Sequence, residues 1–417
     1  MIASSGTATQ EHAGRDVRWR VLVLVPELPT HPRSGQLLRL RSIVRALALV
    51  ADVHVHALAH RPSPGDPPWP GVVGWSTSSD PAMAAARLTS TDWLRDPTGH
   101  PADAWFDPVA ADEVRSMITT FAPDAVVLGG FAVHPYGAVV AETGVPVILD
   151  HQNVEADLAE ETAALAAPAP HVMVRRLAAE RTAIREAALV ASVDRVWTVS
   201  ERDAVRLQDR YPETAAVDVL PNVVDELPLD PLAPSERGSP LVLYPGALGY
   251  PPNADAARWL VHDWWPLVRP ELDQPRLVIA GSDPPAWLRD LDDAQVEVTG
   301  MVDDLDPWFR RATLLPVPLR AGGGTRLKVL EALAHRVPVI STSKGCEGLD
   351  VVDGTHLLLA DDLADWRSKA VEVHRYSGRF DEVSEAGRAL VEANYTLTAL
   401  SDAASSSLVG ILGRTPA

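Results

Sequence analysis

The chain has little of what would mark a secreted, membrane-spanning or polyanion-binding protein. A single cysteine, Cys346, in 417 residues excludes any intrachain disulfide and points to a reducing, cytoplasmic setting. Lysine is scarce, with Lys328, Lys344 and Lys369 the only three. The formal charge of −19 gives no basis for bulk attraction to nucleic acid or an anionic membrane, so membrane contact is at most peripheral. No apolar run approaches the ~20 residues of a membrane span. Residues 1–15 are small and polar, without a charged segment leading into an apolar one, and are expected to be a disordered tail.

Apolar residues, by contrast, are abundant. At 46 % hydrophobic, the chain can bury a core larger than one domain usually holds. Short apolar runs alternate with helical patterns: Arg20 to Val25 before a helix from Leu37 to Leu49, then Val53 to Leu58, Ala125 to Leu128, Val145 to Leu149 and Arg195 to Val199. Arg61 to about Asp107 has no clear period and reads as loops with short helices. This alternation predicts an α/β domain with a parallel sheet over residues 16–226. Residues 227–240, rich in proline and charge, read as a linker. The pattern then restarts at Leu241, with a helix from about Ala254 to Leu267 and strands at Leu277 to Ala280, Val296 to Val298 and Thr313 to Val317, predicting a second doubly wound domain over 241–395. Residues 396–417 are expected to form a helical segment crossing back to the first domain. Doubly wound sheets bind ligands beyond the carboxyl ends of their strands, so two such domains imply a cleft between two ligand edges.

The segment PVPLRAGGGTRLKVLEALAHRVPVIST concentrates the chemistry. A strand ends, Gly322, Gly323 and Gly324 make a turn, and a helix is expected from Thr325 to Arg336. Glycines let a ligand approach the backbone, and the free amides of a helix start favour phosphate. Lys328 and Glu331 lie three residues apart on one helix face, as a diphosphate and a ribose would require. A plain tight turn, with Glu331 paired to an arginine such as Arg326, is the simpler reading of the glycines alone. The strand, turn, helix and charge pair together favour a phosphate site. It is neither a P-loop, which needs lysine directly after its last glycine, nor a dinucleotide fingerprint, which needs glycine at Leu327.

In order along the chain, VLVLVPELPTHPRSGQLLRLRSIVRAL, VILDHQNVEADL, RVWTVSERDAVRL, VLPNVVD, LYPGALGYPPNADAARWL, VEVTGMVDDLDPWFRRATLLPVPL and GGGTRLKVLEALAHRVPVISTSKGCEGL resemble the blocks of group 1, family-4-like glycosyltransferases. The resemblance implies the GT-B architecture, two facing Rossmann-like domains, and retaining sugar transfer from a nucleotide diphosphate donor. It assigns Glu331 to the ribose as the second glutamate of an E-x7-E motif whose first glutamate is replaced by Gly323. It also brings Gly35 near the donor phosphate and His151 near the transferred sugar. The arginine and lysine that the family carries after the first strand of the second domain are missing from GALGYPPNAD. Arg326 and Lys328 are the expected replacements, and with His151 they make the expected catalytic set. The donor-binding set is Gly35, Gly246, Gly322, Gly323, Gly324, Thr325, Arg326, Leu327, Lys328 and Glu331.

Plainer roles are expected elsewhere: Asn153 as a helix cap, Asp303, Asp304 and Asp306 as caps near Pro307 rather than a metal site, Trp264 and Trp265 as core, and Arg175, Arg176, Arg181 and Arg185 as a solvated helix face. The fold needs no metal or cofactor beyond the nucleotide-sugar co-substrate. The acceptor can be a small molecule, a glycan or a lipid-linked sugar. A nucleotide-sugar epimerase and a non-catalytic binding partner of another transferase are the alternatives.

Overall fold

A computed structural model describes residues 18–30, 34–58, 69–78, 92–96, 98–165, 170–291, 293–324 and 326–413; the expected tail and Thr325 lie outside them. Seven parallel strands form the first sheet: β1 (Trp19–Val25), β2 (Ala51–Ala57), β3 (Val72–Thr77), β4 (Ala125–Gly129), β5 (Val147–Asp150), β6 (Arg195–Thr198) and β7 (Val217–Val219), in the order β3-β2-β1-β4-β5-β6-β7. Strand β1, WRVLVLV, is buried along nearly its whole length because helices cover both faces, which leaves it no polar side to alternate with. The strand β3 corrects the expectation of loops and short helices for 61–107. Its VVGWST is half-exposed at the sheet edge and lacks the continuous apolar run of a central strand.

The second sheet has two three-stranded parts. One is β8 (Leu241–Pro245), β9 (Arg276–Ala280) and β10 (Val296–Gly300); the other is β11 (Leu315–Val317), β12 (Val339–Ser341) and β13 (Leu358–Leu359). A parallel bridge between Val242 and Leu314 joins them in the order β10-β9-β8-β11-β12-β13. In both sheets the chain reverses direction of winding beside the first strand, between β1 and β4 and between β8 and β11, where a crevice for ligands opens. The helix Pro251–Trp259 continues through a π turn, Leu260–Trp264, into Trp265–Val268; Trp264 and Trp265 are core, as expected, and Trp264 meets Trp366 edge-on.

The stretch 227–240 is docked on the second half rather than spanning free between the halves. Arg237 donates to the carbonyls of Phe309, Ala312 and His335, and Ser235 binds Asp381. The chain instead crosses at Val224, whose amide donates to the Tyr395 carbonyl at 2.9 Å, close to where the chain returns. The terminal helix Leu397–Leu412 then packs Leu400, Ala404 and Leu408 into the core of the first half. Ser401 donates to the Ala46 carbonyl at 3.0 Å, and Trp197 donates to Ser407 at 2.7 Å.

Candidate functional site

Between the two switch points lies a cavity of about 760 Å³, within the ~300–1,000 Å³ typical of ligand sites. Ser34 and Gly35 line it from the first half. Ser34 caps the helix Gly35–Val50 by accepting from the Leu37 amide, and Gly35 has open space where a side chain would stand. From the second half come Gly246, Gly323, Gly324, Arg326, Leu327, Lys328 and Glu331. The helix after the glycine turn runs Leu327–Ala334, shorter than expected at both ends.

Lys328 Nζ lies 4.2 Å from the centre of the Tyr244 ring and 3.2 Å from Asn253 Oδ1. A side chain at Gly246 would come within 2.9 Å of that ammonium, so glycine is what admits it. Burial, reinforced by Arg326, lowers the Lys328 pKa to about 7. Burial raises Glu331 to about 7 against the pull of Arg41 and Lys328. Among the described residues the Glu331 carboxylate has no hydrogen bond or ion pair, so the expected alternative, a pair with Arg326, is not made. Two ionisable groups held half-buried and underpaired in a cleft is the electrostatic pattern of a binding site.

Arg326 has a different role from the expected one. Its Nη atoms donate to the carbonyls of Gly322, Gly323 and Gly324, so its guanidinium holds the turn together instead of facing a phosphate. Gly322 and Gly324 adopt φ of +118° and +66°, which L side chains rarely reach. A side chain at Gly323 would approach Asn153 Oδ1 at 2.8 Å, and one at Gly324 would approach the Gln152 carbonyl at 2.8 Å. The glycines are therefore also the place where the halves touch, and Asn153 occupies the volume a glutamate at 323 would need. Asn153 is not a helix cap either; it donates to Glu155 at 3.1 Å, and Val154 holds the cap position.

His151 is 1 % exposed and absent from the cavity wall, although its neighbours Gln152 and Asn153 line it. Its Nε2 meets Glu186 Oε1 at 2.6 Å. Burial opposes the imidazolium, but the hydrogen bond and charge of Glu186 outweigh it and hold the pKa above the ordinary value. Glu186 also accepts from the amides of Glu155 and Ala156 and from Tyr211 OH, fixing the start of the helix Glu155–Ala164. Of the helix arginines, Arg175 and Arg176 are exposed, whereas Arg181 donates to the carbonyls of Trp93 and Gly99 and Arg185 binds Asp103. Asp304 accepts from the Asp306 amide at the start of the helix Asp306–Arg311, and Asp306 pairs with Arg310 and His335. On the cavity floor, a buried pair that sequence patterns did not single out links Arg39 to Asp150 at 2.7 Å.

Ionic bonds close one edge of the cleft. Glu161 Oε2 accepts from the Gly322 amide at 2.9 Å, which keeps that amide from a phosphate while the bond holds. Glu161 Oε1 meets Lys344 at 2.7 Å, and Arg202 reaches Glu347 at 2.5 Å. Glu161→Ala should let the halves separate, raising the radius of gyration in small-angle scattering at low salt while circular dichroism stays the same. An unchanged radius would show that these bonds do not hold the cleft shut.

Residues 239–375 match the family model described as glycosyl transferases group 1. No curated protein matches the sequence. Among solved structures, sucrose-phosphate synthase from Thermosynechococcus elongatus is similar at a TM-score of 0.70 and 14 % identity, over 95 % of this chain and 100 % of that one. Anabaena HepE in complex with UDP and glucose has a TM-score of 0.61 at 12 % identity, over 94 % and 100 % of the two chains. The lipopolysaccharide outer core galactosyltransferase WaaB has 0.58 at 13 %, over 94 % and 99 %. Residues 239–375 thus carry a group 1 glycosyl transferase domain, and the chain as a whole has the GT-B fold that these glycosyltransferase structures share.

Proposed function

We propose that the protein transfers a sugar from a uridine diphosphate donor to an acceptor hydroxyl, with retention of anomeric configuration. The observation that carries this reading is the Lys328–Glu331 pair beside the glycine turn: a half-buried cation for the diphosphate and a carboxylate one turn on for the ribose hydroxyls. Uridine is chosen because HepE was solved with UDP and UDP-glucose. The acceptor oxygen bonds to the anomeric carbon as the bond from that carbon to the diphosphate oxygen breaks. The acceptor proton passes to the departing phosphate, whose growing charge Lys328 and nearby amides stabilise, so no protein nucleophile is needed. Gln152 and Asn153 stand at the sugar end, while Arg326 and the Glu186–His151 pair position the two walls.

Proton linkage tests the donor reading. A diphosphate beside Lys328 favours its charged form, so binding takes up protons above pH 7. Ribose hydroxyls donating to Glu331 favour its carboxylate, so binding releases protons below pH 7. Calorimetry of UDP in buffers of different ionisation enthalpy should show the sign reversing near pH 7. Binding without proton exchange at either pH would remove both residues from the site.

A further inference from the structure

Resting on the transferase reading, we propose that the acceptor is an uncharged hydroxyl compound with an aromatic or apolar body, not a phosphorylated sugar or a lipid-linked phosphate. The first-domain end of the cavity is walled by His100, Pro101, Ala102, Trp105, Phe131 and Ala132. This wall is rigidly built. His100 Nδ1 accepts from the Ala102 amide at 3.0 Å, its Nε2 donates to Thr182 at 2.9 Å, and its ring meets Phe131 edge-on at 5.5 Å. Tyr136 OH donates to the Trp105 carbonyl at 2.9 Å and accepts from the Asp107 amide at 3.0 Å.

The charges near this wall argue against an anion. With Nδ1 accepting and Nε2 donating, His100 is neutral, and burial keeps it so by lowering its pKa to about 4. Arg39, the cation on the cavity floor, has its donors on Asp150, the Pro221 carbonyl and Asn222. Arg185 and Arg181 are bound behind the wall. Among the described residues that line this side, Glu155 is the remaining acidic group; it accepts from Asn153, and burial pushes its carboxyl above the ordinary value, so the site is poor in positive charge. A phosphate on the acceptor would have to shed its water beside Glu155 and a donor diphosphate, with Lys328 taken by that diphosphate and no unengaged cation among the described residues of this wall. An aromatic body instead packs against Trp105, while its hydroxyl reaches the amides of Gln152 and Asn153.

Binding of 4-methylumbelliferone, methyl glucoside and glucose 6-phosphate to the full chain, with and without UDP, tests this. Umbelliferone is expected to bind, with affinity falling on the order of tenfold in Trp105→Ala and recovering in Trp105→Phe, while UDP binding stays at the wild-type value. Glucose 6-phosphate is expected not to bind. Binding of glucose 6-phosphate or methyl glucoside in preference to umbelliferone would overturn the proposal, as would umbelliferone that does not bind or is indifferent to Trp105. UDP that fails to bind while umbelliferone binds through Trp105 would instead sink the donor reading and leave this wall standing.

Discussion

Glu331→Gln is expected to weaken nucleoside diphosphate binding on the order of 10- to 100-fold and, at pH 8, to raise the melting temperature of the ligand-free protein. The first effect follows from exchanging charge-assisted hydrogen bonds, roughly 1.5–3 kcal/mol each, for neutral ones nearer 1 kcal/mol. The second follows from burial. A carboxyl whose pKa rises from 4.5 to about 7 in the fold costs stability once ionised, up to about 3 kcal/mol above pH 7. Glutamine removes that cost, and a gain of several degrees is expected for a domain of this size. Lys328→Met should behave alike toward stability, because burial disfavours the ammonium too. Toward ligands it differs: the diphosphate weakens, yet a nucleoside without phosphates binds as before. Calorimetry with uridine and UDP, beside thermal melts, reads all four quantities. Wild-type affinity in Glu331→Gln would show that the carboxylate does not meet the ribose, whatever the melts show.

The parts of this site legible in sequence were local ones. Lys328 and Glu331 share a helix face because three residues make most of a turn, and the glycine run marks the turn before them whatever surrounds it. The central strands were legible for a similar reason, since β1 and β4 are almost wholly buried and read as continuous apolar runs. What could not be read were contacts between distant segments. Arg326 looks like a free cation beside Lys328 until the fold turns its guanidinium back on three carbonyls. Asn153 resembles a cap, yet its neighbour across the cleft is Gly323, 170 residues away. Glu186 sits in an arginine-rich helix whose sequence suggests only a wet face; 35 residues separate it from His151. No periodicity reports such a pair. An edge strand such as β3 fails differently, because half-exposure leaves VVGWST too mixed to separate from a loop.

The second large effect is expected at Glu186, where the resemblance directs attention to His151 instead. Glu186 is fully buried and accepts four hydrogen bonds, from His151, Tyr211 and the amides of Glu155 and Ala156. Glu186→Ala leaves a buried imidazolium without its partner and two helix amides unsatisfied, a loss of about 3–5 kcal/mol. Glu186→Gln keeps the volume but turns one oxygen into a donor facing donors, and about 2–3 kcal/mol should go. The pH dependence identifies the cause. The raised His151 pKa contributes stability that is fully present below the ordinary histidine value of 6.5 and is lost as pH rises through the folded value. The lowered Glu186 pKa contributes stability present above 4.5 and lost as pH falls through its folded value. The gap in melting temperature between wild type and Glu186→Gln should therefore be widest between about pH 4.5 and 6.5 and narrow on either side. Since this carboxylate also anchors the helix that carries Glu155 and Glu161, turnover in Glu186→Gln should fall, with little change in UDP affinity if, as proposed, Lys328 and Glu331 of the other half hold the donor. A gap independent of pH would mean that packing, not the buried ion pair, sets the role of Glu186.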